Sequence, residues 1–326
     1  MKAYVVKSKS KLGKLPDKKI LKELLDENSF DRKLETLGKF YPDLKNLTNK
    51  IEVEHFLNVM LDDNINSFLH FLNGKDKELF ERYVTKYEIA VIQNAIQAIL
   101  NNSVNSSISA LKANPFSKNV FLEENMTFEK FVLEMKNTQY YRTLLPFLNE
   151  NNLGSSMIFL VSNSLNKFYY RNLLEYTGNF PKAINSAIKD YLGKKIDLFN
   201  LEILYRLLSF FQINSYEIFN YLIEGGKYFK VEKLKELSEY SIEGFKKEIL
   251  KSEYKNIFND DKKDFYQALN YEKYKVTKTL SKSNFDILFL IYTIETMEVS
   301  NRNIVSILEL DDDFSKNEKE KFMIKR

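Results

Sequence analysis

The sequence of 326 residues contains no cysteine. Disulfides, thiolate nucleophiles and cysteine-based zinc sites are therefore excluded. The chain also has only nine glycines and five prolines. Because strands joined by tight turns consume both residue types, this scarcity predicts long helices and few hairpins.

Long apolar runs are missing as well. Crossing a bilayer takes about 18 apolar residues or more, whereas the best window, 287–292, is followed closely by Glu295 and Glu298. The first residues lack the longer apolar core of a signal peptide. We therefore expect a chain that is not exported and does not span a membrane, located in the cytosol or peripheral to a membrane.

An excess of charge of one sign is also lacking. The 49 basic residues nearly balance the 45 acidic ones, which leaves a formal net charge of +4. A nucleic-acid surface concentrates its cations far more strongly, so we expect no nucleic-acid partner. Hydrophobic residues make up 44% and charged residues 29%, which is typical of a folded globular protein.

Helical periodicity dominates what is present. Helix starts are indicated at Pro16 and Asp17, after Ser29, and at Thr127, which can cap the following segment. Apolar residues recur at helical spacing over four long segments: 52–72, 77–100, 158–176 and 285–310. The sequence therefore predicts an all-α fold.

The segment 196–211 is apolar around most of its circumference and carries Asp197 and Asn200 three residues apart. We predict a helix here, with Gly193 in front of it and a separate shorter helix over 181–192. A helix that is apolar on nearly all sides must be surrounded by others. Since a buried carboxylate or amide without a partner is costly, we expect both side chains to bond to a neighbouring helix.

The acid-to-amide spacing occurs again later in the chain. Glu298 and Asn301 repeat it, and a third copy begins at Glu88, where Val91 replaces the amide. An acid and an amide three residues apart lie on one helix face. Three such helices at long, regular spacing indicate internal triplication.

We therefore divide the chain into three helical repeats and a tail. The polar run 101–109 indicates the first boundary. The predicted repeats cover residues 1–105, 106–215 and 216–310, and residues 311–326 form a charged C-terminal tail that we expect to be frayed or exposed.

One string suggests enzyme chemistry. Asp260, Asp261 and Asp264 match the DDxxD pattern with which all-helical isoprenoid synthases bind magnesium and a diphosphate, because three carboxylates at this spacing can converge on hard cations. Lysines interrupt the string and no second acidic motif matches it. A solvated loop of mixed charge is the commoner structure for such a sequence.

The two histidines offer a weak metal-site hypothesis. His55 and His70 would lie about 22 Å apart along one helix, too far to share a metal. A site that combines His55 with Glu52 or Asp62 is the remaining alternative to an exposed histidine. The sequence therefore favours no metal ion and no cofactor.

Two further patterns have ordinary structural explanations. The residues 224–227 look like part of a phosphate loop but lack its full spacing and a preceding strand, which favours a helix stop. The tyrosine pairs 140–141 and 169–170 could form a stacking platform, although aromatic residues at helical spacing more often belong to the core.

The ordered motifs resemble a known family, the C subunits of the bacterial and archaeal V/A-type rotary ATPases, which are the counterparts of the d subunit of the eukaryotic V-ATPase. The segments YVVKSKSKLGKLP, TFEKFVLEMKNTQYY and LNKFYY resemble the family's first helix, second-repeat turn and middle helix. EVSN, with Glu298 and Asn301, fits the third repeat. The best match is DLFNLEILYR, which contains Asp197, Asn200, Leu201 and Arg206.

The chain departs from the family pattern at three positions. Val91 replaces the first-repeat asparagine, Asn166 stands where the middle helix usually has aspartate, and Gln139 stands where the turn usually has proline. These departures favour structural roles for the marked residues over chemical ones.

The resemblance implies a funnel of three pseudo-equivalent repeats that is not an enzyme and binds no nucleotide. It would sit on the membrane rotor ring at the cytoplasmic face of the cell membrane and receive the D/F-type subunits of the central shaft. In that position it would couple ATP synthesis or hydrolysis to transport of H⁺ or Na⁺. Two alternatives remain, an unrelated helical scaffold and a magnesium-dependent isoprenoid-type enzyme.

Overall fold

A computed structural model describes residues 2–149, 155–211, 213–259, 264–309, 319 and 323–324. Throughout these ranges the regular structure is helical, with no strand, which confirms the predicted all-α class. None of the helices in these ranges is both long enough and apolar enough to cross a membrane.

The α-helices follow one another along the chain with short connections, several of which contain a turn of 3₁₀-helix. Their bounds are α1 Ala3–Leu12, α2 Lys18–Asp26, α3 Phe30–Leu37, α4 Lys50–Leu69, α5 Gly74–Leu100, α6 Val104–Ala113, α7 Phe128–Glu134, α8 Tyr141–Leu144, α9 Ser155–Tyr176, α10 Lys182–Phe210, α11 Ser215–Tyr221, α12 Val231–Ser238, α13 Ile242–Ile249, α14 Phe265–Thr279 and α15 Asp286–Glu309.

Side chains cap the short helices where the sequence indicates helix starts. Ser29 accepts the amide of Arg32, and Thr127 accepts the amide of Lys130. Asp17 is the N-cap of α2 and accepts two amides, so the helix begins at Lys18, just after the predicted start at Pro16 and Asp17. Each such cap stabilises its helix by about 1 kcal/mol.

The predicted break at Gly193 is wrong, because α10 runs without interruption from Lys182 to Phe210. Gly193 lies inside the helix and gives room to a neighbouring segment. A Cβ atom at Gly193 would lie 2.9 Å from the backbone nitrogen of Lys227. This glycine therefore serves a close approach of two backbones.

The chain forms two compact units. Residues 1–57 and 181–326 make up the first, and residues 58–180 the second. In the first unit α1 and α2 pack against α15, while α14 and α13 pack against α10. In the second unit α5 and α9 form the main pair, with α6 and α7 beside α5. The division into three repeats remains a prediction.

The expectation of an exposed tail fails at Ile324. This side chain is buried beside Tyr274 and Val299. Asn303 of α15 donates to the carbonyl oxygen of Ile324 at 3.0 Å and accepts its amide at 2.9 Å. A buried aliphatic side chain and a paired peptide group therefore fix this point of the tail.

Candidate functional site: a buried carboxylate that anchors a loop

Asp197 and Asn200 are both buried in the middle of α10, each with none of its surface exposed. The surrounding positions of the helix are apolar, and Ile196, Leu198 and Leu201 are equally buried. A carboxylate in such surroundings needs strong hydrogen-bond donors. The structure supplies them from loops, which corrects the expectation of a neighbouring helix.

Asp197 accepts three hydrogen bonds. Its Oδ2 atom accepts the amide of Tyr228 at 2.8 Å and the hydroxyl of Tyr254 at 3.1 Å. Its Oδ1 atom accepts the amide of Phe229 at 3.2 Å. Tyr228 and Phe229 belong to the segment 222–230 between α11 and α12, which we call the anchored loop.

Asn200 fixes the beginning of the anchored loop. Its Nδ2 atom donates to the carbonyl oxygen of Ile223 at 2.8 Å, and its Oδ1 atom accepts the amide of Ile223 at 2.8 Å. The side-chain amide thus satisfies both backbone groups of one buried residue. Because Asp197 and Asn200 lie on one helix face, both side chains can bond to the same loop.

Glycines allow the anchored loop to approach α10 so closely. The amide of Lys227 donates to the carbonyl oxygen of Gly193 at 3.1 Å. Gly225 has a φ of 102°, a left-handed conformation that favours glycine. The segment 224–227 is not the stop of a helix as predicted, because α11 already ends at Tyr221.

Burial dominates the electrostatics of this site. It raises the pKa of Asp197 from 3.8 to about 6, although the amides of Tyr228 and Phe229 and the hydroxyl of Tyr254 act in the opposite direction. Burial, followed by the neighbouring charge of Asp197, also raises the pKa of Tyr254. At neutral pH the pair is therefore a carboxylate and a neutral phenol that donates to it.

The raised pKa of Asp197 predicts how stability depends on pH. The folded state holds the proton at a higher pH than the unfolded state, so this contribution to stability is complete below about pH 3.8 and is lost as the pH rises through about 6. Two pKa units correspond to about 3 kcal/mol. In urea unfolding at a series of pH values, we expect the stability deficit of Asp197→Asn to shrink by about 3 kcal/mol from acidic to neutral pH.

The Asn variant provides the control, because it keeps the shape of the side chain and cannot titrate. A deficit that grows with pH would show that the hydrogen-bond donors outweigh burial and lower the pKa of Asp197. A constant deficit would show that its pKa does not differ between the folded and unfolded states.

Glu88 of α5, in the second unit, shares one feature of this arrangement, a bond from a buried tyrosine hydroxyl. It accepts the hydroxyl of Tyr140 and, at 2.8 Å, the side-chain amide of Asn119. Tyr140 is buried with 1% of its surface exposed. Two of the three predicted acid positions, Glu88 and Asp197, thus accept a buried tyrosine hydroxyl.

The two tyrosines also lie in matching turns. The hydroxyl of Thr138 accepts the amide of Tyr140 at 3.3 Å, and the hydroxyl of Ser252 accepts the amide of Tyr254 at 3.1 Å. The helices before these turns, α7 and α13, have the same order and spacing of key residues. Those residues are Thr127, Phe131, Thr138 and Tyr140 in the first case and Ser241, Phe245, Ser252 and Tyr254 in the second.

The third motif, on α15, is arranged differently. Glu298 accepts the guanidinium of Arg302 at 3.3 Å on the same helix. Asn301 is buried and donates to the carbonyl oxygen of Leu57 at 3.1 Å. In this helix it is Asn303 that bonds to both backbone groups of one residue, Ile324, as Asn200 does with Ile223. Arg206 is exposed at the end of α10.

The three aspartates of the predicted magnesium motif can be placed only in part. Asp260 and Asp261 lie outside the described residues. Asp264 is the N-cap of α14, where it accepts the amide of Gln267 at 2.9 Å. Within the described ranges, no cluster of three or more acidic or histidine side chains is suited to a metal ion.

The predicted histidine site and tyrosine platform have ordinary explanations in the structure. His55 and His70 are exposed. Glu52 accepts the amide of Thr48 at 2.8 Å, which explains the lowered pKa of this carboxyl. Tyr169 is buried and donates to the carbonyl oxygen of Tyr83 at 3.0 Å, so it belongs to the core.

The sequence interpretation missed Tyr254, Ser252 and Gly226. The signal that could have identified the first two is the match between TFEKFVLEMKNTQYY and SIEGFKKEILKSEYK, which share cap, phenylalanine, hydroxyl and tyrosine positions. Gly226 carries no such signal, because its role depends on a side chain of a different helix.

Comparison with known proteins identifies the family. Residues 5–312 match the model of the ATP synthase (C/AC39) subunit family. The chain is 29% identical over 206 residues to the C subunit of the A-type ATP synthase of Methanosarcina acetivorans, which covers 62% of this chain and 54% of the relative. It is 22% identical over 314 residues to the protein of the same name from Methanosphaera stadtmanae, covering 91% and 80%.

A third relative with this name, from Pyrococcus horikoshii, is 25% identical over 179 residues, or 55% of this chain and 47% of that protein. The matched part thus spans about half the length of several of these relatives. The family model, in contrast, covers nearly the whole chain and includes the helices that carry all three acid motifs. The chain therefore belongs to the ATP synthase (C/AC39) subunit family.

Proposed function

We propose that this chain is the non-catalytic subunit of a rotary V/A-type ATPase that couples the central shaft to the membrane rotor ring. The observation that carries the proposal is the family match over residues 5–312. The relatives are named as subunits of A-type ATP synthases. The proposed position is peripheral, on the cytoplasmic face of the cell membrane, with transport of H⁺ or Na⁺ linked to ATP.

The proposed funnel of three repeats is supported by one recurring local arrangement. A short capped helix packs against a long helix in two places, α7 against α5 and α13 against α10, and in a third place α3 touches α15 through a side chain. The last pair includes a hydrogen bond from the Lys33 amine to the carbonyl oxygen of Ile307 at 3.4 Å. Three equivalent repeats would produce this recurrence.

The anchored loop fits a protein that transmits torque. Such a protein must resist deformation, and loops are ordinarily the most mobile parts of a protein. Here Asp197, Asn200 and Gly193 hold one loop against α10 at five backbone groups. We infer that these bonds stiffen the wall of the funnel that receives the D/F-type shaft subunits.

Coexpression with the shaft subunits of the same organism tests the proposal. We expect the three proteins to elute together from a gel-filtration column, because a coupling protein must bind the shaft tightly enough to rotate with it. We further expect a membrane complex that lacks this chain to hydrolyse ATP without moving ions, and added chain to restore ion transport.

The control is the isolated catalytic head, whose rate of ATP hydrolysis the chain should leave unchanged. Failure to form a complex with the shaft subunits would contradict the coupling role. ATP turnover by the chain alone would contradict its non-catalytic character.

A further inference from the structure

Helix α1, the connection after it and the first turns of α2 carry a basic surface, whereas the second half of α2 adds the exposed acidic residues Glu23 and Asp26. Eight of the first 22 residues are lysines, only Asp17 is acidic, and the first arginine is Arg32. Six of these lysines are exposed. One of them, Lys2, lies over the ring of Tyr4, and the other five we call the lysine face: Lys9, Lys14, Lys18, Lys19 and Lys22.

The packing of both helices turns these lysines outward. Helices α1 and α2 pack against the same helix, α15. The residues that they bury are Tyr4, Val5 and Ser8 in α1 and Leu21, Leu24 and Leu25 in α2. Lys9, Lys18 and Lys22 are not among these buried residues and remain exposed, and Lys19 lies opposite the buried stripe of α2. Lys14 lies in the short connection between the two helices.

Within the described part of the chain, no ion pair compensates the charge of the lysine face. None of its five amines forms an ion pair with a residue in the described part of the chain. The carboxylate of Asp17 is engaged with the amides of Lys19 and Ile20, both at 2.9 Å. Elsewhere in the protein, lysines such as Lys195 and Lys233 bond to glutamates at 2.9 and 2.6 Å. The lysine face therefore attracts anions.

The composition of this surface favours one class of anionic partner. Residues 2–22 contain no arginine, the residue suited to bidentate recognition of phosphates. Their one aromatic residue, Tyr4, is buried and cannot stack on a base. Lysine is depleted in protein interfaces. Val6, with 56% of its surface exposed, adds an apolar side chain beside Lys9.

We propose that the lysine face binds the headgroups of anionic phospholipids and holds the protein at the membrane surface. Lysines act on such a surface as separate point charges and need no defined docking geometry. The proposal does not depend on shaft binding, because it can be tested on the isolated chain.

Vesicle co-sedimentation tests this proposal. The purified full chain is mixed with vesicles of phosphatidylcholine, with or without phosphatidylglycerol. The variant carries Gln at all five positions of the lysine face. Its matched control carries Gln at five dispersed lysines that are also exposed: Lys112, Lys136, Lys189, Lys255 and Lys282. Both variants lose the same charge, and neither substitutes a buried residue.

We expect the unmodified chain to bind only the vesicles with phosphatidylglycerol. Raising the salt from about 0.1 M to about 1 M should release it, since the Debye length falls from about 10 Å to about 3 Å. The lysine-face variant should bind at least ~100-fold more weakly, and the dispersed control should bind nearly as well as the unmodified chain.

Three results would overturn the proposal. The unmodified chain could fail to bind the anionic vesicles, or the two variants could lose equal affinity, which would show a response to net charge alone. Displacement from the vesicles by a short RNA at a lower phosphate concentration than by competing phosphatidylglycerol vesicles would assign the face to nucleic acid instead.

Discussion

Replacing Asp197 with alanine should lower the free energy of unfolding by about 3 kcal/mol, because the substitution removes the acceptor of three buried donors. The amides of Tyr228 and Phe229 would lose their bonds inside the protein. The hydroxyl of Tyr254 would lose its bond to the same carboxylate. Urea unfolding followed by far-UV circular dichroism measures the loss, and hydrogen exchange at the amides of Tyr228 and Phe229 locates it.

Asp190 offers a matched control on the same helix. Its carboxylate pairs with the amines of Lys194 and Lys227, both at 2.7 Å, but 36% of its side chain is exposed. Exposed ion pairs contribute at most about 1 kcal/mol, so Asp190→Ala should change stability far less. Equal losses for the two variants would contradict the anchoring role of Asp197.

Replacing Gly226 with alanine should cost about 2 to 4 kcal/mol, comparable to a severe packing defect. The added Cβ atom would lie 2.1 Å from the Oδ1 atom of Asp197 and 2.7 Å from the carbonyl oxygen of Phe229. Asp197 cannot rotate away without losing its own bonds, and the second atom belongs to the backbone. The anchored loop would therefore have to move away from α10. Urea unfolding again gives the magnitude.

Gly178→Ala is the control for the glycine substitution, since a Cβ atom at that position would meet open space. A double-mutant cycle adds a sharper test. If the clash is with Asp197, Gly226→Ala should cost at least about 1 kcal/mol less in the Asp197→Ala background. Additive losses would show that the two residues act independently.

The helices themselves could be predicted from the sequence to within a few residues. The periodic segment 285–310 corresponds to α15, Asp286–Glu309, and the segment 77–100 corresponds to most of α5, Gly74–Leu100. These predictions succeed because periodicity is a local property of the chain. Gly193 shows the limit, since a glycine within a helical pattern is equally compatible with a break and with a close contact.

The candidate site could be predicted only in part. The positions of Asp197 and Asn200 in an apolar helix already required buried partners. The sequence did not identify those partners as Tyr228, Phe229 and Tyr254, because contacts between residues distant in the chain produce no periodic sequence pattern. Two of the donors are backbone amides of the anchored loop. Since nearly every residue has a backbone amide, the sequence of the loop does not mark them as donors.

The sequence by itself determined the all-α class, the exclusion of cysteine chemistry, and the presence of acid and amide groups where apolar packing would surround them. These follow from composition and from the helical period. Only the tertiary structure decided which groups donate hydrogen bonds to Asp197 and Glu88. It also decided that Gly193 and Gly226 allow close contacts between segments and do not end a helix. The physical reason is that hydrogen-bond partners and steric clearances depend on segments that are distant in the chain and meet only after folding.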